Sequence, residues 1–436
     1  MKLSYYNITA SKDGRIILFN TIHDSYILMA EEIYQQLQDR SFLDNLSKNH
    51  PFLFEKLYKG GMIIEEGNDE RQQLIQEYEN MTANSTSYSL TLLPSLDCNL
   101  RCWYCFEKHI KGSHLNEMMQ ERIYQHVRKV FTENPAFTRL ELELFGGEPL
   151  LYFEREVYPL LKRIKSWLSE QGKEVLFFIV TNGVRICRNN LPLFAELGTS
   201  FQISIDGYKT THDKVKFMRD IGTYDHIIEA INMITQNETF MYVNLRINYN
   251  DKTLVHLPEI IPDLKNVDRR KICIHLERVW QTSPKGEESC ELLKSVIDEF
   301  LIHGFNVSYM NLSRRSYSCK SSKNAQAIIS YDGAVYKCLG RNFNEQLKEG
   351  FLSADGIIEW NETKLQKRMS ISTIGNNKCL FCKLLPLCWG PCNQKLLETD
   401  SQNIDRFCQL RLMELNLEDY IIYRFNNQYI KQNYKK

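Results

Sequence analysis

From residue 88 to about residue 304 the chain alternates between short apolar runs and longer stretches whose apolar residues recur three and four apart. A short run bounded by turn residues reads as a buried strand, and the three-four spacing as one face of an amphipathic helix. The pattern predicts strands over 88–94, 139–145, 174–181, 200–206, 241–248 and 271–279, with helices over 117–131, 154–169 and 224–235 among them. Six such β-α repeats imply an α/β architecture: a parallel sheet curled into a partial (β/α)6 barrel of the TIM type. Folds of this kind carry their chemistry at the C-terminal ends of the strands, so the residues following each apolar run become the candidates.

The flanks differ. Residues 1–85 read as a small N-terminal α+β module: an alternating stretch at 15–19, an amphipathic run at 26–38, a helical stretch at 50–59 and a hairpin-like strand at 60–64. The polar segment 65–87 is expected to be helix and linker. Short strands and turns over 306–412 suggest a cysteine-rich C-terminal domain, followed by a helical stretch from 410 to 434. The expected division is 1–85, 86–305, 306–412 and 413–436. Residues 1–20 have no signal-like apolar core and no later stretch is long enough to span a bilayer, so a cytoplasmic protein without a membrane partner is expected.

Charge adds little, because 54 basic residues balance 54 acidic ones and give no field that would gather nucleic acid. Cysteine usage changes the picture. Thirteen cysteines without an export signal point away from disulfides and toward metal or cluster ligation. They fall into groups: Cys98, Cys102 and Cys105; Cys319 and Cys338; Cys379, Cys382, Cys388, Cys392 and Cys408. Cys187, Cys273 and Cys290 stand apart and read as buried thiols.

After the first predicted strand comes a CxxxCxxC loop, Cys98, Cys102 and Cys105, with Trp103-Tyr104 inside it. Three thiolates on one loop can hold three irons of a [4Fe-4S] cube and leave the fourth open. A zinc site is the alternative, although zinc prefers four ligands and paired CxxC spacing. The second strand ends in Gly146-Gly147-Glu148-Pro149, the third in Thr181-Asn182-Gly183 and the fourth in Ser204-Ile205-Asp206-Gly207. Arg246 lies on the fifth. Taken singly, these read equally well as a glycine turn or as Asn- and Asp-capped loops.

In this order the elements resemble the signature of the radical S-adenosylmethionine (SAM) superfamily. That resemblance implies a radical [4Fe-4S] cluster on Cys98, Cys102 and Cys105 that cleaves SAM reductively to a 5'-deoxyadenosyl radical. It also implies contacts from Gly146, Gly147, Glu148 and Pro149 to the SAM amino group, and from Thr181, Asn182, Ser204 and Asp206 to its ribose and methionine. Arg246 would pair with the SAM carboxylate and Tyr104 would meet the adenine. A carboxylate on an ammonium and a guanidinium on a carboxylate are charge-assisted contacts suited to these roles.

The distal cysteines follow C-x13-G-x4-C, C-x2-C-x5-C-x3-C and then Cys408, with Gly333 as the glycine. There are thiolates enough for nearly two four-iron clusters, with a zinc ribbon as the alternative. The spacing resembles the SPASM extension of some radical SAM enzymes. By that resemblance one auxiliary [4Fe-4S] cluster takes Cys379, Cys382, Cys388 and Cys408, and the other takes Cys319, Cys338 and Cys392. The second is one ligand short, since residues 311–318 contain no cysteine. Either Cys273 or Cys290 folds back, or one iron stays open.

Enzymes with this extension mostly modify peptides or proteins, so the resemblance implies a peptide substrate and an electron donor such as flavodoxin or ferredoxin. A ribosomally made peptide would be cross-linked or otherwise modified. The alternatives are an anaerobic sulfatase maturase and a catalytically silent, cluster-bearing adaptor. Sulfatase maturases carry an Asp directly after the second cysteine of the extension, where this chain has Leu339-Gly340. The N-terminal module is similar in length and order to winged-helix leader-recognition modules, which bind an extended leader along a strand edge; a cap on the barrel is the other reading. His275 and Glu277 share one face of the last predicted strand and are candidates for proton shuttling or peptide positioning, or for pairing with surface lysines.

Overall fold

The computed structural model describes the chain except for residues 84–85, 284–285, 311, 313–318, 400–403 and 434–436, and the backbone alone at 404, 405, 429 and 431–433. Its first strands are β1 (Lys2–Leu3), β2 (Asn7–Lys12), β3 (Arg15–Asn20) and β4 (Ser25–Ala30). Helices Glu31–Gln36, Arg40–Asn49 and Pro51–Lys59 then lead to β5 (Ile63–Ile64). β2, β3 and β4 form one antiparallel sheet. The run at 26–38, expected to be helical, is therefore strand as far as Ala30. Tyr26 and Leu28 face the main core of the molecule while Ile27 and Met29 face the module's own core, so the strand is apolar on both faces and hides its alternation of two. Nor does 60–64 form a hairpin, since β5 pairs with β1, Leu3 opposite Ile63.

The six predicted barrel strands are present as β6 (Ser87–Leu93), β7 (Arg139–Leu144), β8 (Glu174–Thr181), β9 (Ser200–Ile205), β12 (Val243–Tyr249) and β13 (Ile272–Arg278). A small hairpin, β10 (Phe217–Met218) and β11 (Ile221–Gly222), stands between β9 and β12. The six pair in parallel in chain order. Two further parallel strands extend the sheet: β14 (Asn306–Tyr309) beside β13 and β15 (Gln326–Ser330) beside β6. Antiparallel strands β16 (Ala334–Tyr336), β17 (Gly350–Leu352) and β18 (Ile358–Trp360) continue from β15. Leu90, Leu142, Ile179, Ile203, Leu245 and Ile274 project from one face of the sheet into a single core with the apolar faces of helices Glu117–Glu133, Tyr158–Glu170, Tyr224–Gln236 and Glu287–Ile302.

The C-terminal stretch is two helices, Gln409–Leu412 and Leu417–Asn433, rather than one from 410; its expected end at Tyr434 lies outside the described residues. The longer helix covers the edge of β14. Asn427 Nδ2 donates to Val307 O at 2.7 Å, its Oδ1 accepts from Val307 N at 3.0 Å, and the Tyr423 hydroxyl accepts from Tyr309 N at 3.1 Å. Side chains thus satisfy backbone groups that a bare edge strand would offer to another chain. Among the described residues no helix is long and apolar enough to cross a membrane.

Candidate active site

The loop after β6 lies directly on the Gly146-Gly147 turn. A Cβ on Gly147 would stand 2.2 Å from the Asp97 carbonyl oxygen, and one on Gly146, whose φ is 102°, 2.7 Å from that of Ser95. Only glycine allows so close an approach. Asp97 O accepts from Glu148 N at 2.8 Å, and the Asp97 carboxylate accepts from Cys98 N and Gly112 N at 2.8 and 2.9 Å. Asn182, at the end of β8, donates to Asn99 Oδ1 at 2.8 Å and stands 3.9 Å from Cys98 Sγ. The thiol loop, the Gly-Gly turn and the Thr181-Asn182 corner therefore form one unit.

Glu148 is the brace of that unit. It is fully buried, and its carboxylate accepts from Thr181 Oγ1 (2.7 Å), Asn182 N (2.9 Å) and Leu150 N (3.0 Å). Burial pushes this carboxyl up, against the pull of those hydrogen bonds and of Lys216. Pro149 beside it is also buried.

Across β9, β12, β13 and β14 the register puts Ser204, Arg246, His275 and Ser308 in one row, and Asn248 opposite Glu277 in the next row on that face. Asn248 Nδ2 donates to the Tyr104 hydroxyl at 3.1 Å and to Asp206 Oδ1 at 3.2 Å, and Tyr104 donates to the same oxygen at 2.5 Å. Arg246 Nε donates to Asn248 Oδ1 at 3.1 Å, and its Nη2 lies 3.8 Å from Glu277. His275 stands 3.2 Å from both Glu277 Oε2 and Ser308 Oγ. His275 and Glu277 thus pair with each other and with Arg246, not with surface lysines. Burial works to raise the Glu277 carboxyl, but the His275 hydrogen bond and the Arg246 charge outweigh it and hold it below its ordinary value.

Sequence reasoning missed the support beneath Asp206. Lys216, nearly inaccessible, donates to Ser204 O (2.9 Å) and Oγ (2.7 Å) and lies 3.6 Å from Asp206 Oδ2. His212 Nδ1 accepts from Asp206 N at 3.2 Å, so its proton sits on Nε2, 3.0 Å from Thr223 Oγ1. Burial pushes this imidazole down to about 2 and keeps it neutral. No motif marks either residue. Asn248 carried a signal, the alternation of Asn244, Arg246 and Asn248 along one strand face.

The C-terminal cysteines separate in space into two sets. Burial pushes the Cys388 thiol up to about 12, with Cys382, Cys408 and Cys379 adding charge of the same sign. It pushes Cys338 up to about 11, with Cys319 and Cys392 as the like-charged neighbours. The chain turns between Cys388 and Cys392 at Trp389 and Gly390, whose φ values are 52° and 94°, and this sends Cys392 to the other set. Gly340 N approaches Cys338 Sγ at 3.4 Å just as Leu100 N approaches Cys98 Sγ. Cys273 instead lines a cavity with Tyr242 and Asn306, and Cys290 packs against the main core. Among the described residues no group of three or more His, Cys, Asp or Glu side chains is arranged to hold a single metal ion.

Residues 92–257 match the profile of the radical SAM superfamily. The chain is 24% identical to the radical SAM cyclopropyl synthase TigE of Paramaledivibacter caminithermalis, over 89% of this chain and 88% of that one. It is 26% identical to a cysteine-type anaerobic sulfatase-maturating enzyme of Clostridium novyi, over 74% and 93%. Among solved structures, anSMEcpe with bound AdoMet and a peptide superposes with a TM-score of 0.54 at 17% identity, covering 80% of this chain and 97% of that one. Streptococcus suis SuiB bound to its precursor peptide SuiA gives 0.50 at 15%, covering 92% and 97%. Proteins of the matched superfamily use a [4Fe-4S] cluster and SAM. The thiol loop seated on a glycine turn thus lies where the profile matches, and the chain carries a radical SAM domain over residues 92–257.

Proposed function

We propose that this enzyme abstracts hydrogen from a residue of a ribosomally made peptide and leaves it cross-linked or otherwise modified. The observation that carries the reading is the row Ser204, Arg246, His275 and Ser308 with Glu277 and Asn248 above it: a polar, titratable lining within one hydrogen-bond network of Tyr104 and Asp206. Cys98, Cys102 and Cys105 would hold the radical cluster, and the residues around them fit that role. Asn99 Nδ2 and Glu107 Oε2 are buried beside the loop without a hydrogen-bond partner among the described residues. When bound, cluster and SAM supply a 5'-deoxyadenosyl radical able to take a hydrogen atom. Gly146, Gly147, Thr181, Asn182, Ser204 and Asp206 would hold the methionine and ribose, Arg246 the carboxylate, and Tyr104 the adenine. Glu148 would act by fixing the turn backbone and Asn182 rather than by touching the amino group itself. His275 and Glu277 would position the peptide and carry a proton.

Cys379, Cys382, Cys388 and Cys408 would hold one auxiliary cluster, and Cys319, Cys338 and Cys392 a second that keeps one iron open. The N-terminal module would bind a leader, with flavodoxin or ferredoxin as electron donor. TigE aligns over 89% of the chain, against 74% for the sulfatase-maturating relative. Cys338 is followed by Leu339, which packs on a small apolar cluster with Tyr336 and Phe343, so no carboxylate stands there for formylglycine chemistry.

Replacing Cys98, Cys102 and Cys105 together by Ala should remove about four irons per chain and all SAM cleavage while leaving iron at the C-terminal sets. Mass spectrometry of a small peptide encoded beside the enzyme, after co-expression, should show loss of hydrogen from one or more residues. An aldehyde formed from Cys or Ser instead would assign the sulfatase-maturase reaction, and absence of SAM cleavage by the cluster-loaded parent protein would point to the adaptor.

A further inference from the structure

Two guanidinium groups flank the second C-terminal thiol set. Arg368, on helix Glu362–Met369, is 3% exposed. Its Nε and Nη2 grip Glu349 at 2.9 and 2.6 Å, and Nη2 also donates to Gln394 Oε1 at 2.9 Å. Its Nη1 is buried without a hydrogen-bond partner among the described residues. Arg368, Glu349, Gln394, Arg341 and Cys338 line one cavity of about 10 Å³. Gln394 belongs to helix Asn393–Glu398, whose N-cap is Cys392, and Arg341 holds Glu398 of the same helix at 2.8 and 2.6 Å. Both arginines are therefore tied to the short helix that begins at one thiol, and both border the cavity of another. Buried donors normally find partners, so the unspent Nη1 of Arg368, a residue that shares a cavity with Cys338, requires a reason.

We infer that Arg368, assisted by Arg341, tunes the electron affinity of the iron-sulfur centre held by Cys319, Cys338 and Cys392, favouring its reduced state. This rests on the proposed assignment of a cluster to those cysteines. Cluster potentials respond to local charge, to hydrogen bonds on sulfur and to burial, and a cation shielded from water acts with little screening. One added electron makes the centre more negative, which a neighbouring guanidinium stabilises. Glu349 offsets part of the Arg368 charge, leaving the free N–H as the more specific contribution. Arg341 and Glu398 are 27% and 35% exposed, so the Arg341 contribution is smaller.

The test is a redox titration with dithionite, followed by electron paramagnetic resonance, on reconstituted full-length protein lacking Cys98, Cys102 and Cys105. The relevant signal is the one lost in Cys338→Ala. Arg368→Gln should keep its iron and lower that midpoint by at least about 59 mV, a tenfold change in a one-electron equilibrium. Arg368→Lys should recover part of the shift, and the Cys379 centre should not move. An unchanged midpoint with iron intact overturns the inference, as does an equal shift of both centres. Loss of that centre's iron in both Arg368 variants also overturns it, by making the residue structural. If Cys338→Ala keeps every signal and all its iron, the cluster assignment itself has failed, which is a separate result.

Discussion

The Glu148 carboxylate meets three donors within 3.0 Å: a hydroxyl and two backbone N–H groups. Glu148→Gln keeps the shape but places an amide NH2 against one of these donors. A buried donor left unmatched costs about 1–3 kcal/mol, so the variant should melt several degrees lower and bind SAM more weakly. Calorimetric titration with SAM beside a melting curve checks both; unchanged stability with weakened SAM binding would instead restore a direct contact. His126 offers a second residue-scale prediction. The Tyr88 hydroxyl lies 2.7 Å from its Nε2 and the Gly356 carbonyl 3.0 Å from its Nδ1, so Nδ1 donates and Nε2 accepts. Burial pushes this imidazole down to about 4. As pH falls, the unfolded chain takes up the proton first. The stability tied to the neutral ring is full above pH 6.5 and declines below it until it is gone near pH 4, about 3 kcal/mol in all. Urea unfolding should show that decline in the parent and a flatter one in His126→Gln.

At the scale of elements, β13 ends in a buried charge cluster. Arg278 Nε and Nη2 donate to the Glu414 carboxylate, both at 2.6 Å, and Nη2 also reaches Asp251 and Ser289 at 2.8 Å. Glu414 follows Cys408 by six residues, so this clamp joins the strand carrying His275 and Glu277 to the segment after a predicted cluster ligand. Glu414→Leu strands the guanidinium and should cost about 3–5 kcal/mol, read as a lower urea midpoint. An unaltered midpoint would mean that Asp251 alone suffices. Neither half of the clamp was legible in the sequence, because the partners are 136 residues apart and no spacing rule connects them. The barrel strands were legible because they are six to eight residues long and separated by helical periods. β14 and β15, four and five residues long, fall below that signal and lie among turns. The grouping of the cysteines was legible for a different reason: their spacing survives in one dimension even where the chain crosses from one thiol set to the other, as it does at Trp389 and Gly390. His212 and Lys216 act through the Asp206 backbone N–H and the Ser204 carbonyl, contacts that leave no pattern in a sequence.

For the whole molecule, what matters is how the N-terminal module meets the cysteine-rich segment. Tyr6, Leu74, Tyr78, Leu385 and Trp389 share one apolar cluster. Around it Thr21 Oγ1 donates to Lys383 O at 2.5 Å, Lys383 Nζ to Asn7 O at 3.0 Å, and the Tyr5 hydroxyl to Phe381 O at 2.8 Å. The contacts fall on residues from Phe381 to Trp389, so the module buttresses the loop proposed to hold the four-cysteine cluster, besides its proposed role in leader binding. A module that only captured a leader could be removed without loss of iron. Deleting residues 1–64 takes away Tyr6 and uncovers Leu385 and Trp389, which are at most 1% exposed in the intact chain. Burial of large aromatic side chains of this kind is worth about 3–5 kcal/mol each against Ala. The truncated protein is therefore expected to lose about four irons from the Cys379 set while retaining the cluster on Cys98, Cys102 and Cys105, and to cleave SAM without modifying peptide. Milder evidence comes from Tyr6→Ala in the full chain, which should lower iron content in the same set while leaving strands β2, β3 and β4 in place. Iron counting before and after reconstitution decides the matter: full iron in both variants would leave the module a leader-binding role alone.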